Sequence, residues 1–105
     1  MKVLLDECVP WPIHRFLNGR ECQPAQRCGW GGLKNGDLLN RAEGTFDLFI
    51  TSDQSIRYQQ NMAGRSIPII ELSTNDLRRH RRAAVAIASG ASNIDPDDYR
   101  RLFIP

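Results

Sequence analysis

The sequence of 105 residues lacks the features that define several classes of protein. No apolar run approaches the length of a membrane-spanning helix, so we expect no membrane partner. The first residues enter an apolar run at once, which leaves no room for a signal peptide, and we therefore expect a cytoplasmic protein. Internal repeats and low-complexity linkers are also missing, and this length favours a single domain over residues 1–105.

Cysteine and histidine are scarce. The three cysteines, Cys8, Cys22 and Cys28, follow no zinc-ligand spacing, and only His14 and His80 are present to complete a ligand set. An odd number of cysteines without a secretion signal favours reduced thiols over disulfides. We therefore expect the fold to depend on an apolar core of its own, which a chain of this size can bury.

Lysine is almost absent, since Lys2 and Lys34 are the only two. The formal net charge is +2, and four arginines fall between residues 78 and 82. The acids concentrate at the predicted strand ends and in the tail. A chain that is locally basic but nearly balanced overall is compatible with a nucleic-acid partner held at one edge.

Two continuous apolar runs stand out. Residues 1–7 read Met-Lys-Val-Leu-Leu-Asp-Glu, and residues 46–53 read Phe-Asp-Leu-Phe-Ile-Thr-Ser-Asp. Apolar runs without alternation are typical of strands that are buried on both faces of a parallel sheet. Each run ends on acids, and ligands of open α/β sheets bind outside the carboxyl ends of the strands.

The remaining segments alternate between helical and strand patterns. Helices are predicted at about residues 10–17, 36–44, 53–60 and 76–89, and further strands at 21–27, 66–72 and 99–103. The strand at 21–27 is predicted at an edge because it contains a proline. The last helix is predicted to bury Leu77, Ala84, Val85 and Ala88 and to end at Gly90. This order predicts an α/β fold with a mostly parallel sheet of four to five strands and helices on both faces.

Four acids are predicted to meet at the carboxyl edge of this sheet. Asp6 and Glu7 follow the first strand, Asp37 opens the helix after the second, and Asp53 follows the third. Close carboxylates repel one another unless a cation neutralises them, and all-oxygen clusters favour Mg²⁺ or Mn²⁺. We predict metal ligands at all four positions and catalytic roles for Asp6, Asp37 and Asp53 in phosphoryl chemistry with a metal-activated water. The alternative for each acid is a helix cap or a solvated side chain.

Basic and hydroxyl side chains near the same edge are candidate RNA contacts. They are Lys34, Thr51, Ser52, Arg78, Arg79 and Arg82. The lysine follows a glycine-rich loop that lacks the ending of a P-loop, the two hydroxyls precede the acid after the third strand, and the arginines lie early in the last helix. Helix capping by the hydroxyls and a solvated arginine face are the open alternatives.

Three segments resemble a known family. Their sequences are Leu-Leu-Asp-Glu-Cys-Val-Pro at 4–10, Gly-Trp-Gly-Gly-Leu-Lys-Asn-Gly-Asp-Leu-Leu at 29–39, and Phe-Asp-Leu-Phe-Ile-Thr-Ser-Asp at 46–53 with Tyr-Gln-Gln-Asn at 58–61. In order and spacing they resemble small bacterial PIN-like proteins, relatives of VapC-type toxins and of the Mut-seven C-terminal domain. The resemblance covers roughly residues 2–75.

This resemblance implies a Rossmann-like PIN fold, a bound Mg²⁺ or Mn²⁺ ion, and a ribonuclease that is the toxin of a toxin–antitoxin pair. A small antitoxin is the implied partner, and PIN relatives often form homodimers. Asp6 and Asp53 match the strand-end metal ligands of the family, Glu7 matches the second acid of the opening pair, and Asp37 matches the acid of the central helix. Cys8 stands where many relatives have Asn, and no late acid clearly matches the fourth acid that such nucleases often use.

Two other functions stay open. A PIN-like fold with an incomplete set of acids would bind a partner without cleaving it. A phosphoacceptor domain of the response-receiver type also pairs acids after its first strand and places an Asp after its third. Such a domain needs a lysine after a fifth strand, where this chain has none.

Overall fold

Five short parallel strands form one sheet in the computed structural model, which describes residues 1–17, 19–33, 35–54, 67–95 and 98–105. The strands are β1 (Lys2–Leu5), β2 (Glu21–Pro24), β3 (Leu48–Thr51), β4 (Ile69–Leu72) and β5 (Tyr99–Leu102). Their order is β2-β1-β3-β4-β5, with every neighbouring pair parallel. The predicted Rossmann-like α/β class is confirmed, as is the edge position of β2.

Helices lie on both faces of this sheet. They are a 3₁₀ helix (Trp11–Phe16) after β1, α1 (Asn35–Ala42) before β3, and α2 (Leu77–Arg82) and α3 (Ala84–Ser92) between β4 and β5. The helix predicted at 53–60 lies almost wholly outside the described residues. In the part of the chain that the structure describes, no helix is long and apolar enough to cross a bilayer.

The first face of the sheet packs on the 3₁₀ helix and on α3. Strand residues such as Leu5, Ile50 and Ile70 meet Ile13 of the 3₁₀ helix and Ile87 of α3, and all five are fully buried. Each such side chain contributes about 1.5–3 kcal/mol when it leaves water. This core explains why β1, β3 and β4 are apolar on that face.

The second face packs on α1. Leu4, Phe49 and Ile69 lie side by side in register on three neighbouring strands and contact Leu38 and Leu39 of the helix. Because successive side chains of a strand point to opposite faces, Leu4 faces this core while its two neighbours face the other. The runs without alternation are therefore apolar because both faces are covered, as predicted.

The helix predicted at 76–89 is two helices with a break at Ala83. This residue has φ −104° and ψ 18°, outside the α-helical values. The predicted buried stripe is wrong, because the buried side of these helices passes through His80, inside the run of arginines, and not through Val85. Val85 is 85% exposed, whereas His80, Ile87 and Ala91 are fully buried. The other three members of the predicted stripe, Leu77, Ala84 and Ala88, are half-buried.

Gly90 was predicted to end the last helix, and this prediction is wrong. It lies inside α3 and is buried against β5. A Cβ at this position would stand 3.2 Å from Cδ1 of Leu102, closer than most side chains tolerate. The glycine therefore serves the close approach of α3 to the sheet rather than helix termination.

Candidate functional site

The strand order creates a crevice between the carboxyl ends of β1 and β3. The chain leaves β1 toward β2 on one side, and it leaves β3 toward β4 on the other. Ligands of doubly wound sheets bind at such a switch point. Asp6 directly follows β1 and Thr51 ends β3, so the two acid-ending runs of the sequence meet here.

Asp6 is only 8% exposed, and three donors hold its carboxylate. The amide of Glu7 donates to Oδ1 at 2.9 Å, while the Thr51 hydroxyl at 2.7 Å and the Cys8 thiol at 3.4 Å donate to Oδ2. An ionised carboxylate accepts about four hydrogen bonds in all. Asp6 therefore keeps accepting capacity for a cation or for a proton of a substrate.

Hydrogen bonds from Thr51 and Ser52 connect the segment after β3 to the segment after β1. The Thr51 hydroxyl also accepts from the amide of Asp53 at 3.0 Å, which turns the chain out of β3. The amide of Ser52 donates to the Cys8 sulfur at 3.4 Å, and the Ser52 hydroxyl donates to the Cys8 carbonyl at the same distance. Both hydroxyls that were predicted to contact RNA therefore form hydrogen bonds within the crevice, to Asp6 and to the Cys8 carbonyl.

The other three predicted acids differ from Asp6 in their exposure. Asp53 is half-buried, Glu7 is exposed beyond Asp6, and Asp37 is exposed in the first turn of α1. Among the described residues, no three His, Cys, Asp or Glu side chains gather closely enough to hold a metal ion. The structure joins Asp6 to Thr51 and Cys8, and the four-acid metal site stays a prediction.

The three arginines that were predicted to contact RNA lie on α2. Arg78, Arg79 and Arg82 are exposed there, just beyond the carboxyl end of β4. Asp76 caps the helix, since its carboxylate accepts from the Arg78 amide at 2.9 Å. That bond lowers the pKa of Asp76 below its ordinary value, and nearby arginine charges act in the same direction. Lys34 lies outside the described residues.

The three cysteines are free and half-buried. Cys22 lies in β2, away from the carboxyl edge. Burial raises the pKa of its thiol, and the charge of Arg20 opposes that rise with a smaller effect. Cys22 is therefore held as the neutral thiol, whereas Cys8 is the one cysteine whose sulfur contacts the crevice residues described above.

One buried acid at the same edge escaped the sequence analysis as a site residue. Glu71 in β4 is 1% exposed. Its carboxylate accepts from the Tyr99 hydroxyl at 2.5 Å and from Nε of Arg101 at 3.2 Å. The register pairs Glu71 with Thr51 on one side and with Arg101 on the other. Asp6, Thr51, Glu71 and Arg101 therefore form a polar row across the second face.

A signal for this polar row exists in the sequence. Each of its members stands two positions after an apolar or aromatic residue, and these earlier residues are Leu4, Phe49, Ile69 and Tyr99. Positions two apart in a strand share a face, so the polar row lies one step beyond an apolar row in the same register. An acid flanked by isoleucine and leucine inside a predicted strand is itself a sign of a buried, bonded carboxylate.

Comparison of the chain with protein-family models, with curated proteins and with solved structures found no match. The resemblance to PIN-like proteins therefore stays a prediction. Because one fold hosts many functions, the function has to be argued from the chemistry of the crevice.

Proposed function

We propose that this protein is a metal-dependent endoribonuclease whose catalytic centre is the crevice between β1 and β3. The observation that carries the proposal is the buried carboxylate of Asp6, held at the switch point by the Glu7 amide and the Thr51 hydroxyl. A fixed carboxylate with spare accepting capacity, placed where parallel sheets bind ligands, is suited to general-base or cation-holding chemistry.

Mg²⁺ or Mn²⁺ fits this edge as an ion that the substrate helps to hold. Magnesium is commonly bound through one or two carboxylates, with waters and substrate phosphates completing its shell. Asp6 and Asp53 follow neighbouring strands and supply oxygen donors of this kind. They are the residues that would hold the ion, which would supply an activated water and neutralise charge on the phosphate.

The remaining residues of the site would position the carboxylate and the RNA. Thr51 and the Glu7 amide fix the direction of the Asp6 carboxylate by donating to its two oxygens. The exposed arginines of α2 would contact the phosphate backbone without reading its sequence. The toxin role, the small antitoxin and a homodimer are implied by the family resemblance. Co-purification with a small antitoxin encoded beside this protein tests the first two, and the mass of the purified protein in solution tests the homodimer.

One observation favours a second candidate function. The order β2-β1-β3-β4-β5 is also that of receiver-type signalling domains, in which an Asp after β3 accepts a phosphoryl group. Asp53 would then be the acceptor, with Ser73 following β4. The position after β5 holds Phe103 rather than the lysine that such a domain requires. Labelling of Asp53 by acetyl phosphate would identify this function.

Cleavage of a mixed RNA pool in Mg²⁺ or Mn²⁺ tests the nuclease. Wild type is compared with Asp6→Asn, with a chelated sample, and with Asp47→Asn as the matched control. Asp47 is exposed and precedes β3 at the opposite edge of the sheet, where an Asn still accepts from the Lys2 amide. We expect cleavage by wild type and by the control, and a loss of about 100-fold or more in Asp6→Asn.

The other outcomes separate the alternatives. Equal cleavage by wild type and Asp6→Asn would place catalysis elsewhere or indicate a contaminating nuclease. RNA binding without cleavage at any metal concentration, by folded wild-type protein, would favour the binding module. No cleavage together with a phosphorylated Asp53 would favour the receiver.

A further inference from the structure

A cavity of about 490 Å³ opens at the carboxyl ends of β4 and β5. Its lining residues are Gln54, Glu71, Ser73, Arg101, Leu102 and Phe103. Pockets of this size accept small molecules such as a nucleotide. The catalytic proposal does not use this cavity, although the polar row connects its Glu71 and Arg101 to the crevice.

Arg101 presents an oriented guanidinium at this cavity. Its Nε donates to the buried Glu71, which in turn is held by the Tyr99 hydroxyl. The terminal nitrogens of Arg101 have no partner among the described residues, and its side chain is 55% exposed. A guanidinium fixed through Nε has its two terminal groups free to form paired hydrogen bonds with phosphate oxygens.

Phe103 presents an aromatic ring at the same cavity. It is 82% exposed, although the residues on either side of it are anchored. Leu102 packs toward Gly90 of α3, and the amide of the buried Ile104 donates to the Ser73 hydroxyl at 2.7 Å. The backbone that carries the ring is therefore fixed, and the ring is directed away from the core. Exposed aromatic rings beside basic residues are stacking platforms for the bases of single strands.

We propose that this cavity binds one nucleotide of a single-stranded RNA, with Phe103 stacking on the base and Arg101 holding its phosphate. The inference rests on the proposed function, because it names where the RNA continues beyond the crevice. Arg101 lies three strands away from Asp6 along the polar row, roughly 14 Å at the usual strand spacing. The bound nucleotide therefore lies outside the crevice in which cleavage is proposed.

Binding of a fluorescein-labelled oligouridine to the Asp6→Asn protein tests the proposal without interference from cleavage. In that background, Phe103→Leu removes the ring, Arg101→Gln removes the charge, and Arg100→Gln is the matched control. Arg100 precedes Arg101 in β5 but faces the opposite side of the sheet and pairs with Asp98. Because Phe103 is exposed, Phe103→Leu keeps the test valid even if Arg101→Gln destabilises the fold.

We expect each of the two cavity variants to raise Kd by about 10-fold and the control to leave it within about 2-fold. Arg101→Gln is also expected to reduce the slope of log K against log salt by about 0.7, as the loss of one phosphate contact from a single strand should. With an abasic oligomer, Phe103→Leu is expected to lose nothing further, since no base remains to stack.

The proposal and the nuclease function fail in different ways. If wild type cleaves RNA but both cavity variants bind like Arg100→Gln, the cavity proposal is overturned and the nuclease stands. If the cavity variants bind weakly as expected but wild type never cleaves, the cavity proposal stands and the nuclease does not. Loss of binding in Arg100→Gln equal to that in Arg101→Gln would also overturn the cavity proposal, because the effect would then be general charge.

Discussion

The two faces of the sheet are built from the same strands and differ at one end. On the first face, which packs on the 3₁₀ helix and α3, apolar side chains continue to the carboxyl edge. Leu72 of β4 and Leu102 of β5 both pack in the core of this face. On the second face, the apolar row that contains Phe49 and Ile69 is followed by the polar row that contains Thr51 and Glu71. Burial continues across that change, since Thr51 and Glu71 are almost fully buried.

This difference separates stability from function within a single sheet. Burial of the first face and of the apolar row stabilises the fold in proportion to the area removed from water. Burial of the polar row costs free energy that its hydrogen bonds offset, so its net contribution to stability is small for its size. Polar groups that fold at such a cost are candidates for binding and catalysis.

The largest expected effect on stability is at Phe49, in the apolar row. Phe49→Ala should lower the free energy of unfolding by about 3–5 kcal/mol, because the side chain is fully buried and its removal leaves a cavity. Urea denaturation followed by circular dichroism measures this loss. Phe49→Leu retains much of the volume and should lose clearly less. A loss below about 1 kcal/mol in Phe49→Ala would show that the apolar row is not the stabilising part of this face.

In the polar row, Glu71→Gln should lower the free energy of unfolding by about 2–3 kcal/mol. The change replaces a buried carboxylate that accepts from Tyr99 and Arg101, and an amide cannot accept equally from both. Glu21→Gln is the control, because Glu21 is an exposed glutamate in the edge strand β2 and should change stability by no more than about 0.5 kcal/mol. Equal effects of the two substitutions would contradict a stabilising role for the hydrogen bonds and the ion pair of Glu71.

Thr51→Val should cost less, about 1–2 kcal/mol. Valine has nearly the same shape, but it removes the hydroxyl that donates to Asp6 and accepts from the Asp53 amide. Thr51→Ser keeps the hydroxyl and serves as the control for the bond itself. RNA cleavage should fall in Thr51→Val and recover in Thr51→Ser, because the hydroxyl directs the carboxylate. Equal cleavage by both variants would contradict the positioning role of the Thr51 hydroxyl.

The smallest expected effect is on the pH dependence of stability. It comes from Asp76, which caps α2. Hydrogen bonding from the Arg78 amide lowers the pKa of Asp76 from its ordinary value of 3.8. A lowered folded-state pKa means that the stabilisation is present above pH 3.8 and is lost as the pH falls below it. Asp76→Asn keeps a capping side chain but does not titrate. The difference in melting temperature between wild type and this variant should therefore shrink on acidification, and a constant difference would contradict the assignment.

The sequence predicted the local elements well where burial on both faces leaves a strong pattern. The runs that became β1 and β3 were identified, with Asp6 and Asp53 after them, because unbroken apolar residues require cover on both sides. The strand at the end of the chain and the edge strand β2 were also predicted. The break at Ala83 was missed because neither glycine nor proline marks it. The buried stripe was misassigned because His80 lies within a run of arginines and gives no apolar signal.

By itself, the sequence determined the α/β class, the parallel strands and the position of Asp6 at the carboxyl edge. Those properties follow from local periodicity and from the rule that strand ends of a parallel sheet share an edge. Only the tertiary structure decided that Glu71 stands between Thr51 and Arg101, and that Gly90 lies against Leu102 of β5. Periodicity determines which face a side chain occupies, but the register between strands that are distant in the chain is set by long-range pairing, which no single segment encodes.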